Sequence, residues 1–284
     1  MKSITNVDFN KFMKKHGDNK VKTNSGFNEL SYGNVGKEIS KAHSTIISYG
    51  TAIEKIIFES IKNTLDCVYE IKTFLDYNKL LDELDACRID DDTFDISDRI
   101  YLIDRDIFEH IKHNDKRIKP DLLFIKVEKG KITFYIIEEK TGDNFDTKKS
   151  SGEKEHIIIF KEKVNAIKGI EKEHKILPIF SNKPKDKLSK SGFKGRFCEN
   201  EIMSRDEFSE LIGVNFYDII KMFDNIREIN ISRYVNNLCE YSDIREKISN
   251  NSNVKNDIIN DICNNPQSVD PQTKIKILNA LNSL

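Results

Sequence analysis

The sequence predicts an α/β protein. A central mixed β-sheet holds strands near residues 120–127, 132–140 and 175–180, helices near 45–65 and 152–168 flank it, and the C-terminal part is helical. Three observations carry this expectation. Two apolar runs, Asp-Leu-Leu-Phe-Ile-Lys-Val at 121–127 and Ile-Thr-Phe-Tyr-Ile-Ile-Glu-Glu-Lys at 132–140, are separated by Glu128-Lys129-Gly130-Lys131, with glycine where a tight turn needs positive φ. Apolar residues at 53, 56, 57, 61 and 65 recur at helical spacing. Ser204, with Glu207 three positions on, reads as a capping box opening a helix that Gly213 ends.

The elements follow in chain order. Residues 1–40 are polar and carry Gly17, Gly26, Gly33 and Gly36, which predicts irregular structure or an arm. After the 45–65 helix and the hairpin comes a polar, glycine-bearing stretch, 141–153, leading into the 152–168 helix. Lys-Ile-Leu-Pro-Ile-Phe at 175–180 is the third short strand. Beyond Gly213, helices are expected over 216–229 and 231–247. Two short amphipathic helices, 254–263 and 273–284, are expected after the Asn250-Asn251-Ser252-Asn253 break. Residues 1–240 then form the main domain, and 241–284 a helical extension that belongs either to it or beside it.

Composition narrows the function classes. The 284 residues carry a formal net charge of -1, with pI about 6.6, so the chain has no overall pull toward a polyanion and any such binding must be local. No apolar segment is long enough to cross a bilayer, and the N-terminus lacks the hydrophobic region of a signal peptide, which predicts a cytoplasmic protein. The five cysteines are odd in number and widely separated, reading as reduced thiols rather than a disulfide or zinc framework. His110 and His113 have one-turn spacing on a possible helix but no further ligand nearby. Asp90-Asp91-Asp92 lacks the glycine and closing glutamate of a calcium loop. Neither phosphate-cradling glycine motif is present, which argues against built-in ATP-driven work.

The hairpin carries the chemistry. If Lys129-Gly130 is a two-residue tip, Glu128 pairs with Lys131, and residue numbers along the ladder sum to 259. Asp121 then faces Glu138, because 121 and 138 share that sum; directly opposed residues have Cβ atoms roughly 4.5–5.5 Å apart. Alternation puts Lys140 on the face of Glu138 and points Glu139 away. Two carboxylates holding a hard divalent cation, beside an ammonium that orients a water, are what phosphodiester hydrolysis needs. A slip of one residue would undo the arrangement.

Lys119-Pro120-Asp121 with Glu138-Glu139-Lys140 resembles the PD-(D/E)xK nuclease superfamily, and the chain length suggests its type II restriction endonucleases. The resemblance implies a restriction-endonuclease-like core and Mg²⁺-dependent, sequence-specific hydrolysis of double-stranded DNA, with Mn²⁺ able to substitute. Asp121 and Glu138, with the backbone carbonyl of Glu139, would bind the ion. The resemblance also implies a homodimer with one site per strand, and a matching methyltransferase. Superfamily members often add a glutamate from a preceding helix. At about 100° per residue with Ile57 as zero, Glu54 falls near +60°, on the buried side, and Glu59 near 200°. Glu54 is therefore the candidate fourth acid, the other reading being a core-bordering residue paired with a lysine.

DNA contacts are expected from two basic segments. Lys148 and Lys149 follow the active-site strand and would meet phosphates flanking the cut; a solvated loop is the other reading. Asp143, Asp146 and Glu153 lie close enough in sequence to act as outer-shell groups, with nothing to choose among them. From Ser181 to Phe197 six cations face one acid, and Gly192 and Gly195 suggest a flexible loop that orders on DNA or remains a solvated surface. Within it Lys194 and Arg196 are the candidates, arginine because its fork matches guanine. Two further functions stay open: a structure-specific repair or recombination nuclease of the same superfamily, and a DNA-binding module that does not cut.

Overall fold

The computed structural model describes residues 1–4, 11–12, 29–142 and 147–242, with a few isolated positions beyond. The chain divides into two compact units. One comprises Met1–Val7 with Glu54–Ile220, and the other Asp8–Ile53 with Lys221–Leu284.

The first unit is built on five strands: β1 (Val68–Ile71), β2 (Arg99–Ile103), β5 (Leu122–Glu128), β6 (Lys131–Lys140) and β7 (Glu171–Pro178), side by side in that order. The outer pairs β1–β2 and β6–β7 are parallel, and the inner pairs antiparallel, so the sheet is mixed as expected. A separate two-stranded hairpin, β3 (Lys112–His113) with β4 (Lys116–Arg117), precedes β5. His110 and His113 therefore do not share a helix. Asn114 and Asp115 both take positive φ, 48° and 61°, and make the turn of this hairpin.

The β5–β6 register is the expected one, from Glu128 opposite Lys131 to Leu122 opposite Ile137. Its tip has Lys129 at φ 52° and Gly130 at φ 72°, the two left-handed positions that match the twist of the strands. A Cβ on Gly130 would also approach the Phe94 carbonyl oxygen to 2.9 Å, so position 130 admits only glycine without rearrangement. The parallel β6–β7 pair needs a crossover, and α3 (Thr147–Lys163) supplies it.

Strand alternation buries both faces. Ile125, Val127, Phe134 and Ile136 share one core with Tyr77, Leu80 and Leu84 of α2 (Phe74–Ala86), Ile157 and Phe160 of α3, and Phe108. Phe108 sits edge-on to Tyr77 at 5.0 Å and to Phe160 at 5.4 Å. Ile100, Leu102, Leu122, Phe124 and Ile137, pointing the other way, are buried as well. The Tyr77 hydroxyl donates to the Asn165 carbonyl inside this core, tying α2 to the segment after α3. Tyr77→Phe leaves that carbonyl without a protein partner and is expected to cost about 1–2 kcal/mol, read as a lower urea midpoint with an unchanged slope.

Helix α5 (Arg205–Ile212) has the caps its sequence predicts. Ser204 Oγ accepts the Glu207 N–H at 3.2 Å, Glu207 Oε2 accepts the Ser204 N–H at 2.7 Å, and Gly213 closes it at φ 70°. The first residues of the chain are fixed beside it: Lys2 N–H donates to the Gly213 carbonyl at 2.9 Å and Asn215 N–H to the Lys2 carbonyl at 3.0 Å.

Glu201 joins three segments. Its carboxylate accepts from Lys154 of α3, from His174 Nε2 of β7 at 2.7 Å, and from the Cys198 N–H at 2.8 Å. Burial would push its pKa up, but these donors outweigh it and pull it down to about 2. A depressed carboxylate stabilises above its unfolded pKa, about 4.3, and the contribution disappears as pH falls toward 2. Burial also lowers His174, so charging the imidazole below about pH 6.5 destabilises in the same direction. Glu201→Gln is expected to lower stability at pH 7 and to flatten its decline between about pH 5 and 2, checked by urea unfolding across that range.

In the second unit, α1 (Glu29–Thr64) contributes its N-terminal part and α6 (Phe216–Glu240) its remainder. Two sequence expectations change here. Gly33 and Gly36 lie inside a helix rather than an irregular arm, and α6 runs unbroken where two helices were expected. The reason is tertiary: Glu38 is fully buried and accepts from Lys41, Asn237 and Tyr241, while Asn230 donates to Tyr49 and Tyr49 packs on Phe223 at 5.7 Å. Such contacts override the weak local preferences of glycine and asparagine. The helices expected over 254–263 and 273–284, and residues 5–10 and 13–28, lie outside the described residues apart from isolated positions.

Among the described residues no helix is long and apolar enough to cross a membrane, and Cys67, Cys87 and Cys198 are free thiols.

Candidate active site

The site forms where β5 begins and β6 ends. The ladder stops at Leu122–Ile137, and its register carries one step further to set Asp121 against Glu138. Asp121 does not continue the backbone pairing. Its Oδ2 instead accepts the Glu139 N–H at 2.8 Å, so the carboxylate is held against the end of β6.

On the face of β6 shared by Glu138 and Lys140, the ammonium contacts Glu138 Oε1 and lies 3.1 Å from Glu153 Oε1 of α3. Of the three acids that follow the strand, Glu153 is the one the structure brings to Lys140; Asp143 and Asp146 lie outside the described residues. Glu138 is 8% exposed. Burial, then the Asp121 charge, push its pKa well above the usual carboxylate range. Burial alone would lower Lys140, but Glu138, Asp121 and Glu153 outweigh it and the pKa is raised, so the side chain is a fixed cation.

Glu139 turns to the other side of the strand, as alternation requires. Its carboxyl is buried, and neither oxygen has a hydrogen-bond partner among the described residues. Burial, Asp121 and Glu54 together raise its pKa far above an ordinary glutamate. Glu54 of α1, which the helical angle turned inward, is half-buried and its charge acts on Glu139. Its partner is not a lysine: Arg105 Nη2 donates to Glu54 Oε2 at 2.7 Å while Nη1 lies 3.5 Å from Asp121 Oδ1. Burial first, then Asp121, raise the Glu54 pKa against the lowering pull of Arg105.

Sequence reasoning missed Arg105. Its place follows from where the chain leaves β2, whose ladder with β5 ends at Ile103 opposite Leu123. It was not readable because an 18-residue excursion, rather than a tight turn, links the two strands.

The donors suit a hard divalent ion. Asp121 and Glu138 offer carboxylate oxygens, and Glu138, raised first by burial and then by the Asp121 charge, stands among negative charge that a cation would relieve. Among the described residues no three acid, histidine or cysteine side chains converge closely enough to enclose an ion by themselves.

The expected DNA contacts fall on two segments. Lys148 and Lys149 are exposed on the first turn of α3. The basic segment after β7 is folded rather than a loose loop: α4 (Lys185–Lys187) leads into a π-turn over Leu188–Gly192. Leu188, Phe193 and Phe197 are buried beneath it, and Ser189 Oγ donates to the Phe197 carbonyl at 2.7 Å. Lys187, Lys190, Lys194 and Arg196 stand exposed around this anchor, Lys194 donating to the Ser191 carbonyl at 2.6 Å. The anchoring follows from Phe193 and Phe197, two large apolar residues that a charge count overlooks.

Comparison with known proteins gives one informative relative. The chain is similar to the type II restriction enzyme HhaII of Haemophilus parahaemolyticus, 28% identical over 232 residues, which cover 79% of this chain and 92% of that enzyme. No family model and no solved structure matches it.

Proposed function

We propose that the protein is a type II restriction endonuclease of the PD-(D/E)xK superfamily, hydrolysing phosphodiester bonds of double-stranded DNA at a specific sequence with Mg²⁺. One observation carries the reading: Asp121, Glu138 and Lys140 gather where two paired strands end, in a cluster with more carboxylates than cations. The similarity to HhaII over nearly that enzyme's whole length supports it.

Asp121 and Glu138 would hold the ion together with the Glu139 carbonyl, and the ion would polarise the scissile phosphate and acidify a bound water. Lys140, kept charged by its carboxylate neighbours, orients that water and screens charge developing on the phosphate. Asp121 is held by the Glu139 amide, so its carboxylate need not reorganise during the reaction. Lys148, Lys149, Lys194 and Arg196 are proposed DNA contacts, the lysines to phosphates and Arg196 to a base edge. A homodimer acting on both strands, a cytoplasmic location and a protecting methyltransferase complete the proposal.

Incubation with a long plasmid and Mg²⁺ tests it. Discrete, reproducible fragments that disappear in the Asp121→Ala protein are expected. Cutting confined to junctions, nicks or ends would replace sequence specificity with structure specificity. Binding without any cutting in Mg²⁺ or Mn²⁺ would reduce the protein to a DNA-binding module.

A further inference from the structure

We propose that Arg105 is a built-in counter-cation of the active site, a positioning residue that holds Glu54 and Asp121 together before the divalent ion binds and releases Asp121 when it arrives. The inference rests on the metal-dependent reading above.

The placement is specific. Arg105 lies two residues beyond the end of β2, and its guanidinium Nη1 comes within 3.5 Å of Asp121 Oδ1. It opens the short 3₁₀ turn Arg105–Phe108, where Asp104 Oδ1 accepts the Asp106 N–H at 2.9 Å and fixes the backbone. The flanking acids are otherwise engaged, Asp104 by the Asp106 N–H and Asp106 by Lys119, and neither is hydrogen-bonded to the guanidinium among the described contacts. Arg105 therefore reaches inward to Glu54 and Asp121.

Charge accounting explains why it is needed. Lys140 answers Glu138 and Glu153 on one side of β6. Glu54, Glu139 and the shared Asp121 remain on the other, where Arg105 acts on both glutamates and Lys140 adds a smaller pull on Glu139. Buried carboxylates without a counter-charge take up protons or push apart.

The two contacts are unequal. At 2.7 Å the bond to Glu54 is a full charge-assisted hydrogen bond, whereas 3.5 Å to Asp121 is at the limit of one. A dication on Asp121 repels the guanidinium and breaks the weaker contact, while Glu54 retains it. Arg105 thus opposes metal binding and, in the metal-free protein, holds Asp121, the ligand, beside Glu54.

Mg²⁺ titration by calorimetry, without DNA, separates the outcomes. Arg105→Met, which keeps the aliphatic stem, is expected to bind Mg²⁺ about tenfold more tightly than wild type and to melt lower in chelator; Arg105→Lys should stay within about threefold of wild type. Equal or weaker binding by Arg105→Met overturns the proposal. Should that variant fail to fold, the Arg105 Nε–H resonance of wild type decides: it must shift as Mg²⁺ saturates, and an unmoved resonance overturns the proposal. Wild type that binds neither Mg²⁺ nor Mn²⁺ would instead overturn the functional reading, and this inference with it.

Discussion

Lys140→Ala is expected to lower Mg²⁺-dependent cleavage by about a thousandfold or more while changing DNA affinity by less than about tenfold, a loss of the size seen when one preorganised charge is removed from a transition state. Lys140 touches Glu138 and lies 3.1 Å from Glu153, in a pocket where burial works against every charge. Without the ammonium, the Glu138, Glu153 and Asp121 carboxylates repel one another, and Glu138, already raised, shifts further toward its protonated form. The ion then loses a ligand at the same moment that the water loses its orienting group. Lys140→Arg should recover a small part of the rate, because charge returns but a planar fork cannot occupy the position of a compact ammonium. Single-turnover cleavage beside fluorescence anisotropy on the same DNA reads both quantities. Cleavage within tenfold of wild type would remove Lys140 from the chemistry. The wild-type pH profile adds a check. Glu138 must be ionised to hold the ion, so its raised pKa places the acid limb above the ordinary carboxylate range, and more Mg²⁺ moves that limb downward.

What was legible in the sequence depended on how local its cause was. The hairpin register followed from one glycine and the length of the turn, and it fixed the relation of Asp121, Glu138 and Lys140 with no knowledge of the rest of the chain. The caps of α5 were equally local, each made within four residues. Glu54 was placed on the inner side of α1 by helical periodicity, but its partner came from a turn 51 residues away, just past a strand that apolar patterning had not revealed. Strands β1 and β2 and helix α2 went unread; β1 is only four residues long and half-buried. The N-terminal glycines misled because α1 is supported by tertiary contacts, such as those that surround the buried Glu38. In the basic segment, charge counting located the exposed cations but not the aromatic anchor that holds them in place.

Asp121→Asn should abolish cleavage, by about a thousandfold or more, and yet raise the melting temperature of the metal-free protein. The Asp121 charge raises the pKa values of Glu54, Glu138 and Glu139 alike, so it is the shared source of repulsion in the cluster. Asparagine is nearly the same shape, and its carbonyl oxygen can still accept the Glu139 N–H that Asp121 now accepts. Relief of about 1 kcal/mol would appear as roughly 2–4 °C in a protein of this size. The sign of its pH dependence follows from the raised acids. Glu138 and Glu139 have folded-state pKa values above their unfolded ones, so their destabilisation is absent below the unfolded value, about 4.3, and grows as pH rises through the folded values. The advantage of Asp121→Asn in chelator should accordingly be largest at neutral and higher pH and fade on acidification. Saturating Mg²⁺ should reverse the order, because the ion stabilises whichever protein binds it, in proportion to the logarithm of its affinity. Thermal melts of both proteins, with chelator and with Mg²⁺, at several pH values, measure all of this. A variant that melts lower than wild type in chelator at neutral pH would show that Asp121 serves the fold, and that the acid cluster is not held at a cost for catalysis.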